Sequence, residues 1–158
     1  MKTIFVFSDS HGYAGNMLRA LDAELPDLMI HLGDGEYDLD AVKARYPLLP
    51  AETVRGNCDR FSVSVKTLRM TVAGKRIFAT HGHLYDVKYD ADLTRLRYAA
   101  LEDDADVVLF GHTHRAYLDE FAGMKILNPG TCGRTPGPTY GRITIENGLV
   151  TAEIRSIP

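Results

Sequence analysis

Several things are scarce in this sequence, and each shortage excludes a class. There are only two cysteines, Cys58 and Cys132, too few for a disulfide framework, so the cytoplasm is the default compartment. No apolar run approaches the ~20 residues that a membrane-spanning helix needs. The apolar start, Ile4-Phe5-Val6-Phe7, is short, follows a single lysine and runs straight into Ser8-Asp9-Ser10-His11. It reads as a first strand and not as a signal peptide. There is no excess of positive charge: the net charge is −3 and the pI is near 6.0. A dedicated nucleic-acid binder would show a basic face. A phosphate-bearing substrate survives this test, because a bound metal can supply the positive charge. Repeats and low-complexity stretches are absent. The 158 residues, 45% apolar and 25% charged, suit one domain with a real core, residues 1–158.

What is present alternates. Thr3–Phe7 and Leu28–Leu32 are short β-branched or apolar runs, read as buried strands. Between them Met17, Leu18, Leu21 and Leu25 follow helical spacing up to Pro26. A short helix is predicted over Leu39–Tyr46, stopped by Pro47, and a weak strand over Glu52–Arg55. Ala73-Gly74-Lys75 sits between Val65–Val72 and Arg76–Thr80 as a hairpin. Asp90 to Leu101 reads as a helix capped by Asp90 or Asp92. Val107–Phe110 is a strand. Two more hairpins follow, at Ala122-Gly123 and at Asn147-Gly148, the second a strong type I′ signal. The Pro- and Gly-rich stretch Arg134–Gly141 is read as loop. Strand–helix alternation followed by hairpins implies an α/β domain with a pair of mixed sheets.

Six of the apolar runs end in polar clusters: Asp9 with His11, then Asp34, Asn57, His81, His112 with His114, and Asn128. Ligands of open α/β sheets bind beyond the carboxyl ends of strands. If these strands share a sheet edge, the clusters meet. Asp9, His11, Asp34, Asn57, His81, His112 and His114 are then too many ligands for one four-coordinate site. They suit two metals sharing a bridging carboxylate. Imidazole and carboxylate without thiolate favour Mn, Fe, Ni, Co or Zn over Mg or Ca. Two such ions sit ~3.5–4 Å apart, lower the pKa of a water between them and clamp the oxygens of a displacement at phosphorus.

The motifs Asp9-x-His11, Gly33-Asp34, Gly56-Asn57-x-Asp59, His81-Gly82-His83 and Gly111-His112-x-His114 resemble those of the calcineurin-like metallophosphoesterase superfamily, in order and over nearly the whole chain. The short length and the Gly56-Asn57-Cys58-Asp59 form resemble its small bacterial and archaeal phosphodiesterase subgroup. The resemblance implies a four-layer α/β/β/α sandwich with two mixed β-sheets. It implies one metal on Asp9, His11, Asp34 and His114, and a second on Asp34, Asn57, His81 and His112, with Asp34 as the bridge. The cofactor is then a pair of divalent transition-metal ions, with Mn ahead of Ni, Fe, Co and Zn. The expected reaction is hydrolysis of a small-molecule phosphate ester, a diester ahead of a monoester, by in-line attack of a metal-bridging hydroxide. Asn57 and His112 would stabilise the charge added at phosphorus. Many members carry His directly after the ligand Asn as general acid; here that place is Cys58, a weak donor. The same fold also serves, in a retromer subunit with a degraded metal site, as a protein-binding scaffold. A site holding one structural ion is a further alternative.

Other residues have two readings each. Asp59, a candidate catalytic residue beside Asn57, either orients its neighbours or serves as a cap or turn. His83 either orients a ligand or touches phosphate. Arg60 and Arg134 are either phosphate-binding or plain surface charges. Tyr85, Tyr89 and Tyr98 either wall a pocket or pack. His31 is read as a core histidine, Cys132 as a small buried residue, and Asp38, Asp40, Asp103, Asp104 and Asp106 as surface or caps. No membrane partner is expected, and a homodimer or larger homo-oligomer is compatible with so small a domain.

Overall fold

A computed structural model describes all residues, Met1–Pro158. Ten strands form two five-stranded sheets. The first sheet has the order β10-β9-β1-β2-β3, from β1 (Lys2–Phe7), β2 (Leu28–His31), β3 (Ala51–Thr53), β9 (Thr139–Glu146) and β10 (Leu149–Ser156). The second has the order β4-β5-β6-β8-β7, from β4 (Thr67–Val72), β5 (Lys75–Thr80), β6 (Val107–Leu109), β7 (Ala116–Phe121) and β8 (Met124–Pro129). Within each sheet three strands run parallel: β1, β2 and β3 in one, β5, β6 and β8 in the other. Hairpins add the antiparallel edges.

The period-2 alternation of the strands sets the layers. Ile4, Val6 and Ile30 of the first sheet face Ile77, Val107 and Leu109 of the second. The intervening Phe5, Phe7 and Met29 turn outward, where Met17 and Leu21 of α1 (Gly15–Ala23) and Val42 of α2 (Leu39–Arg45) cover them. On the far side Phe78, Val108 and Ile126 pack against Leu96 and Ala100 of α3 (Thr94–Glu102). The result is the expected helix/sheet/sheet/helix sandwich.

Two boundaries differ from the sequence reading by more than two residues. The helix expected from Asp90 begins only at Thr94, because Asp86–Leu93 is taken up by turns and Leu93 itself has φ +53°. The N-cap position is therefore Leu93 and not Asp90 or Asp92, although the Asp90 carboxylate still accepts from the Thr94 N–H at 2.8 Å. Strand β9 begins at Thr139, inside the stretch read as loop. Gly141 there is a packing requirement and not a chain break: a Cβ would come within 2.6 Å of Leu127 Cδ2 in the opposite sheet. The carboxyl ends that matter also belong to two sheets, not to one edge. Stacking the sheets brings both rows of loops to one end of the sandwich.

Candidate metal centre

The loop after β1 carries Asp9 and His11, and the loop after β2 carries Asp34. From the second sheet come His81, directly after β5, and His112 with His114, after β6. All but His81 have left-handed backbones, with φ +57° at Asp9, +44° at His11, +58° at Asp34, +69° at His112 and +60° at His114. Such torsions cost energy in residues with a Cβ and persist where surrounding structure imposes them, typically at functional sites. Close packing imposes them here. A Cβ on Gly56 would lie 2.1 Å from Asp34 Oδ1, and one on Gly111 would lie 2.0 Å from Ser8 Oγ.

The six side chains converge. Asp9 Oδ1 lies 3.2 Å from His114 Nε2, 3.7 Å from His11 Nε2 and 4.0 Å from His81 Nε2. Asp34 Oδ2 lies 3.3 Å from His81 Nε2 and 3.8 Å from His11 Nε2. Two pairs of ring nitrogens face each other, His11 Nε2 and His114 Nε2 at 3.3 Å and His81 Nε2 and His112 Nδ1 at 3.1 Å. His81 Nδ1 donates to the Leu32 carbonyl at 2.7 Å, which leaves its Nε2 lone pair facing the centre. Three groups of donors result, Asp9/His11/His114, Asp34/His81/His112 and His11/Asp34/Cys58. Asp34 and His11 each belong to two of them.

One atom tests whether cations belong here. Asp9 Oδ1 is buried and accepts no hydrogen bond. Its sister oxygen Oδ2 takes the Ser8 hydroxyl and the His112 N–H. A buried carboxylate oxygen without a partner is costly, and a divalent ion between it and the surrounding imidazoles would satisfy it. The electrostatics agree. Burial opposes ionisation of Asp9, but His11 and His114 outweigh it, with His81 and Ser8 behind them, and hold the carboxyl well below its usual range. Asp34 is likewise pushed down to about 2: burial works against this, and His81 and the Cys58 N–H prevail. Burial, with the charge of His81, pushes His112 down to about 4, so its ring is a neutral donor near pH 7. The donor set fits divalent ions of intermediate softness.

Other residues named from the sequence fall into three groups. Asn57 is exposed, its amide Nδ2 3.5 Å from Cys58 Sγ, and no hydrogen bond joins its side chain to Asp34, His81 or His112. Cys58 lies at the centre, its N–H donating to Asp34 Oδ1 at 2.8 Å. Burial, then the Asp34 carboxylate, push its thiol up. Asp59 is a positioning residue. Its carboxylate accepts the backbone N–H groups of Asp34, Gly56, Gly35 and Glu36 at 2.8, 2.8, 3.0 and 3.2 Å, so neither oxygen is free for chemistry. His83 stands behind the site, its ring 5.4 Å from that of His81, with Nδ1 buried and unpartnered. Arg60 lines a groove beside Cys58. Arg134 lies apart, its guanidinium 4.7 Å over the Tyr13 ring. Tyr89 lines a groove; Tyr85 and Tyr98 pack edge-on against Phe78 and Phe121.

The sequence reading missed the supports. His31 is fully buried as expected, but it also holds loops, 3.0 Å from Ser10 Oγ and accepting the Gly33 N–H at 3.1 Å. Asp38 is not a surface residue: it is buried and accepts Ser10 Oγ at 2.6 Å and the Gly12 N–H at 2.9 Å, fixing the His11 loop. Asn128 is no ligand. Its amide donates to Gly111 O and Thr113 Oγ1, both at 3.0 Å, and fixes the two-histidine loop. The only sequence signal for these residues is a polar side chain adjoining a motif.

The Calcineurin-like phosphoesterase superfamily domain matches residues 1–148. The chain belongs to this superfamily. A probable metallophosphoesterase of Bacillus subtilis is 36% identical over 94% of this chain and 87% of its own length. A phosphodiesterase of Methanocaldococcus jannaschii is 27% identical over 90% and 93% of the two chains. Among solved structures, zinc-complexed Vps29 of Entamoeba histolytica aligns with a TM-score of 0.77, 20% identity and 99% of each chain, which establishes the shared fold. As a superfamily member, the chain is a metal-dependent phosphoesterase. None of its helices is long and apolar enough to cross a membrane.

Proposed function

We propose that the protein is a dinuclear metal-dependent phosphodiesterase acting through the candidate centre, with the whole chain working as one domain. The unpartnered Asp9 Oδ1 among three imidazoles carries this reading, joined by Asp34, which is grouped with His81 and His112 and lies 3.8 Å from His11 Nε2. Asp9, His11, Asp34 and His114 would hold one divalent ion; Asp34, His81 and His112, completed by Asn57, would hold the other. Bound there, two divalent ions supply Lewis acidity and a nucleophile drawn from water at neutral pH. The chain's own part is placement. Asp34 would adjoin both ions, His81 and His112 would offer ring lone pairs, and the exposed Asn57 would meet the phosphoryl oxygens. The ring of His112, neutral near pH 7, keeps its donor role without protonation.

Two grooves support a diester over a monoester. One, of about 520 Å³, includes Tyr37, Lys43, Cys58, Arg60 and Phe61. The other, of about 560 Å³, includes Lys88, Tyr89, Thr113, Arg115 and Tyr117. The first adjoins the centre at Cys58, the second at Thr113 between His112 and His114. A diester has an arm for each groove; both offer aromatic faces, with Lys43 and Arg60 set against Glu36, Asp40 and Asp59 in the first and Lys88 and Arg115 against Asp90 in the second. The phosphodiesterase name of the archaeal relative points the same way.

The test is hydrolysis of bis(p-nitrophenyl) phosphate beside p-nitrophenyl phosphate. Metal-stripped protein is reloaded in turn with Mn, Ni, Co, Zn or Mg, and metal content is measured. The expected result is two ions per chain and metal-dependent diester cleavage, abolished in Asp34→Ala and His112→Ala. Two bound ions without cleavage of either ester would favour a protein-binding scaffold. One observation supports that rival: Phe61 and Val63, just after the Asn57–Asp59 turn, are 99% and 100% exposed.

A further inference from the structure

We propose that Arg19 and Arg134 form a phosphate-binding site outside the metal centre. The phosphate is a second one carried by the substrate or the free ion, and the same chemistry recognises both. The binding stands on its own; only its use by a substrate rests on the phosphodiesterase reading above.

The site is a cleft of about 610 Å³ whose walls include Tyr13, Asn16, Arg19, Arg134 and Thr135. Its charge sets it apart. The two grooves already described mix cations with carboxylates, whereas this cleft holds two guanidinium groups and no acidic side chain. Neither guanidinium is ion-paired. Arg19 donates to the neutral amide oxygen of Asn16 at 3.2 Å, and Arg134 lies 4.7 Å over the Tyr13 ring. Elsewhere Arg45, Arg69, Arg95, Arg142 and Arg155 all have carboxylate partners. In a chain of net charge −3, two cations left together in one cleft call for an anion from outside.

The arrangement is held in place before any anion arrives. A Cβ at Gly15 would lie 2.7 Å from the Tyr13 hydroxyl, so the missing side chain there lets Tyr13 fold back over the start of α1. The Tyr13 ring then takes one face of the Arg134 guanidinium and leaves its edge of N–H donors free, the fork that fits phosphate oxygens. Asn16 ties the two arginine-bearing segments together. It is buried, its Nδ2 donates to the Cys132 and Gly133 carbonyls at 3.1 and 2.9 Å, and its Oδ1 holds Arg19. The hydroxyls of Tyr13 and Thr135 add donors. No side chain caps α1 and its first turn holds no acid, so the helix start adds partial positive charge. The cleft also shares a wall with the metal-ligand loop. Tyr13 follows His11 by two residues, and Thr131 Oγ1, in the loop that leads to Arg134, donates to the Asp9 carbonyl at 2.8 Å.

The experiment titrates inorganic phosphate into the full chain, zinc-loaded and again after chelation. The readout is the guanidinium Nε–H resonances, assigned with Arg19→Lys and Arg134→Lys. Both resonances should shift saturably with one dissociation constant, with or without zinc; phosphate held by the metals alone would leave them in place. Arg134→Ala, an exposed position, should weaken the binding seen at Arg19 on the order of tenfold, and Arg134→Lys should recover part of it. Shifts that never saturate, or binding at Arg19 indifferent to Arg134→Ala, would overturn the proposal.

A kinetic arm identifies the source. The p-nitrophenyl ester of thymidine 5′-phosphate is compared with the same ester bearing a 3′-phosphate. A KM lower by about tenfold for the second ester, lost in Arg134→Ala with kcat unchanged, makes the substrate's own phosphate the occupant. Equal KM values beside saturable phosphate binding make it the free ion. Cleavage of neither ester would overturn the phosphodiesterase reading and leave the resonance titration to decide the site.

Discussion

Asp59→Ala tests whether the centre is built on the Asp59 clamp. The substitution removes the acceptor of four backbone N–H groups, those of Asp34, Gly35, Glu36 and Gly56. A hydrogen bond to a charged group contributes about 1.5–3 kcal/mol, and a buried donor left alone costs about 1–3 kcal/mol. Water entering the vacated space recovers part of this, so the expected net loss is about 3–5 kcal/mol. For a chain of this length each kcal/mol corresponds to roughly 2–4 °C, so Tm should fall by roughly 6–20 °C. The isosteric Asp59→Asn should recover little. Its one amide oxygen can serve one pair of donors, while its NH2 group meets the other pair donor to donor. Urea and thermal unfolding of the metal-stripped proteins measure the stability, and calorimetric titration with metal measures the site. Affinity for the ion on Asp34 should drop about 10–100-fold, the usual effect of losing a group that orients a ligand. An Asn variant within ~0.5 kcal/mol of wild type would refute the clamp, since that is how an ordinary surface position behaves.

The acid limb of stability should carry the same signature. Burial works against ionised Asp59, but its four backbone donors prevail and lower its folded pKa below the ordinary 3.8. Such a group adds stability above the unfolded pKa and loses it as pH falls through the folded one. Metal-stripped wild type should therefore lose stability below about pH 4 more steeply than Asp59→Asn, by equilibrium unfolding at stepped pH; equal slopes would count against it. Gly56→Ala should weaken metal binding at least about tenfold and lower stability as well, because its Cβ would meet both Asp34 Oδ1 at 2.1 Å and the Asp34 backbone N at 2.4 Å, which displaces the ligand and its loop. Asn128→Ala should lower kcat/KM and metal affinity together by freeing the His112–His114 loop, with about 1–3 kcal/mol lost in unfolding.

The linear sequence determined a good deal. Alternation of apolar residues in Ile4–Phe7 and Ile77–Ala79 fixed which side chains face the opposite sheet and which face a helix, because strand side chains alternate strictly. Asn147-Gly148 fixed the last hairpin, with φ of +50° and +77°. The spacing of Asp9, His11, Asp34, His81, His112 and His114 after successive apolar runs was enough to name the six converging donors and the superfamily. Local rules misled where a residue's role lies across the fold. Gly141 looked like a loop glycine, but it is a strand residue pressed on Leu127 of the other sheet. Asp38 looked like a cap or surface charge, and for Asp59 an orienting role could not be told from a cap or turn, because a lone aspartate has no periodicity to betray burial. Only the stacking of two sheets brought the Asp34 and Asn57–Asp59 loops together across more than 20 residues of sequence, turned Asp59 into an acceptor for four distant N–H groups, set Cys58 sulfur beside His11, and left Asp9 Oδ1 without a partner. Those contacts are long-range. No residue in them carries a local signal of its partner, so tertiary structure alone decides them.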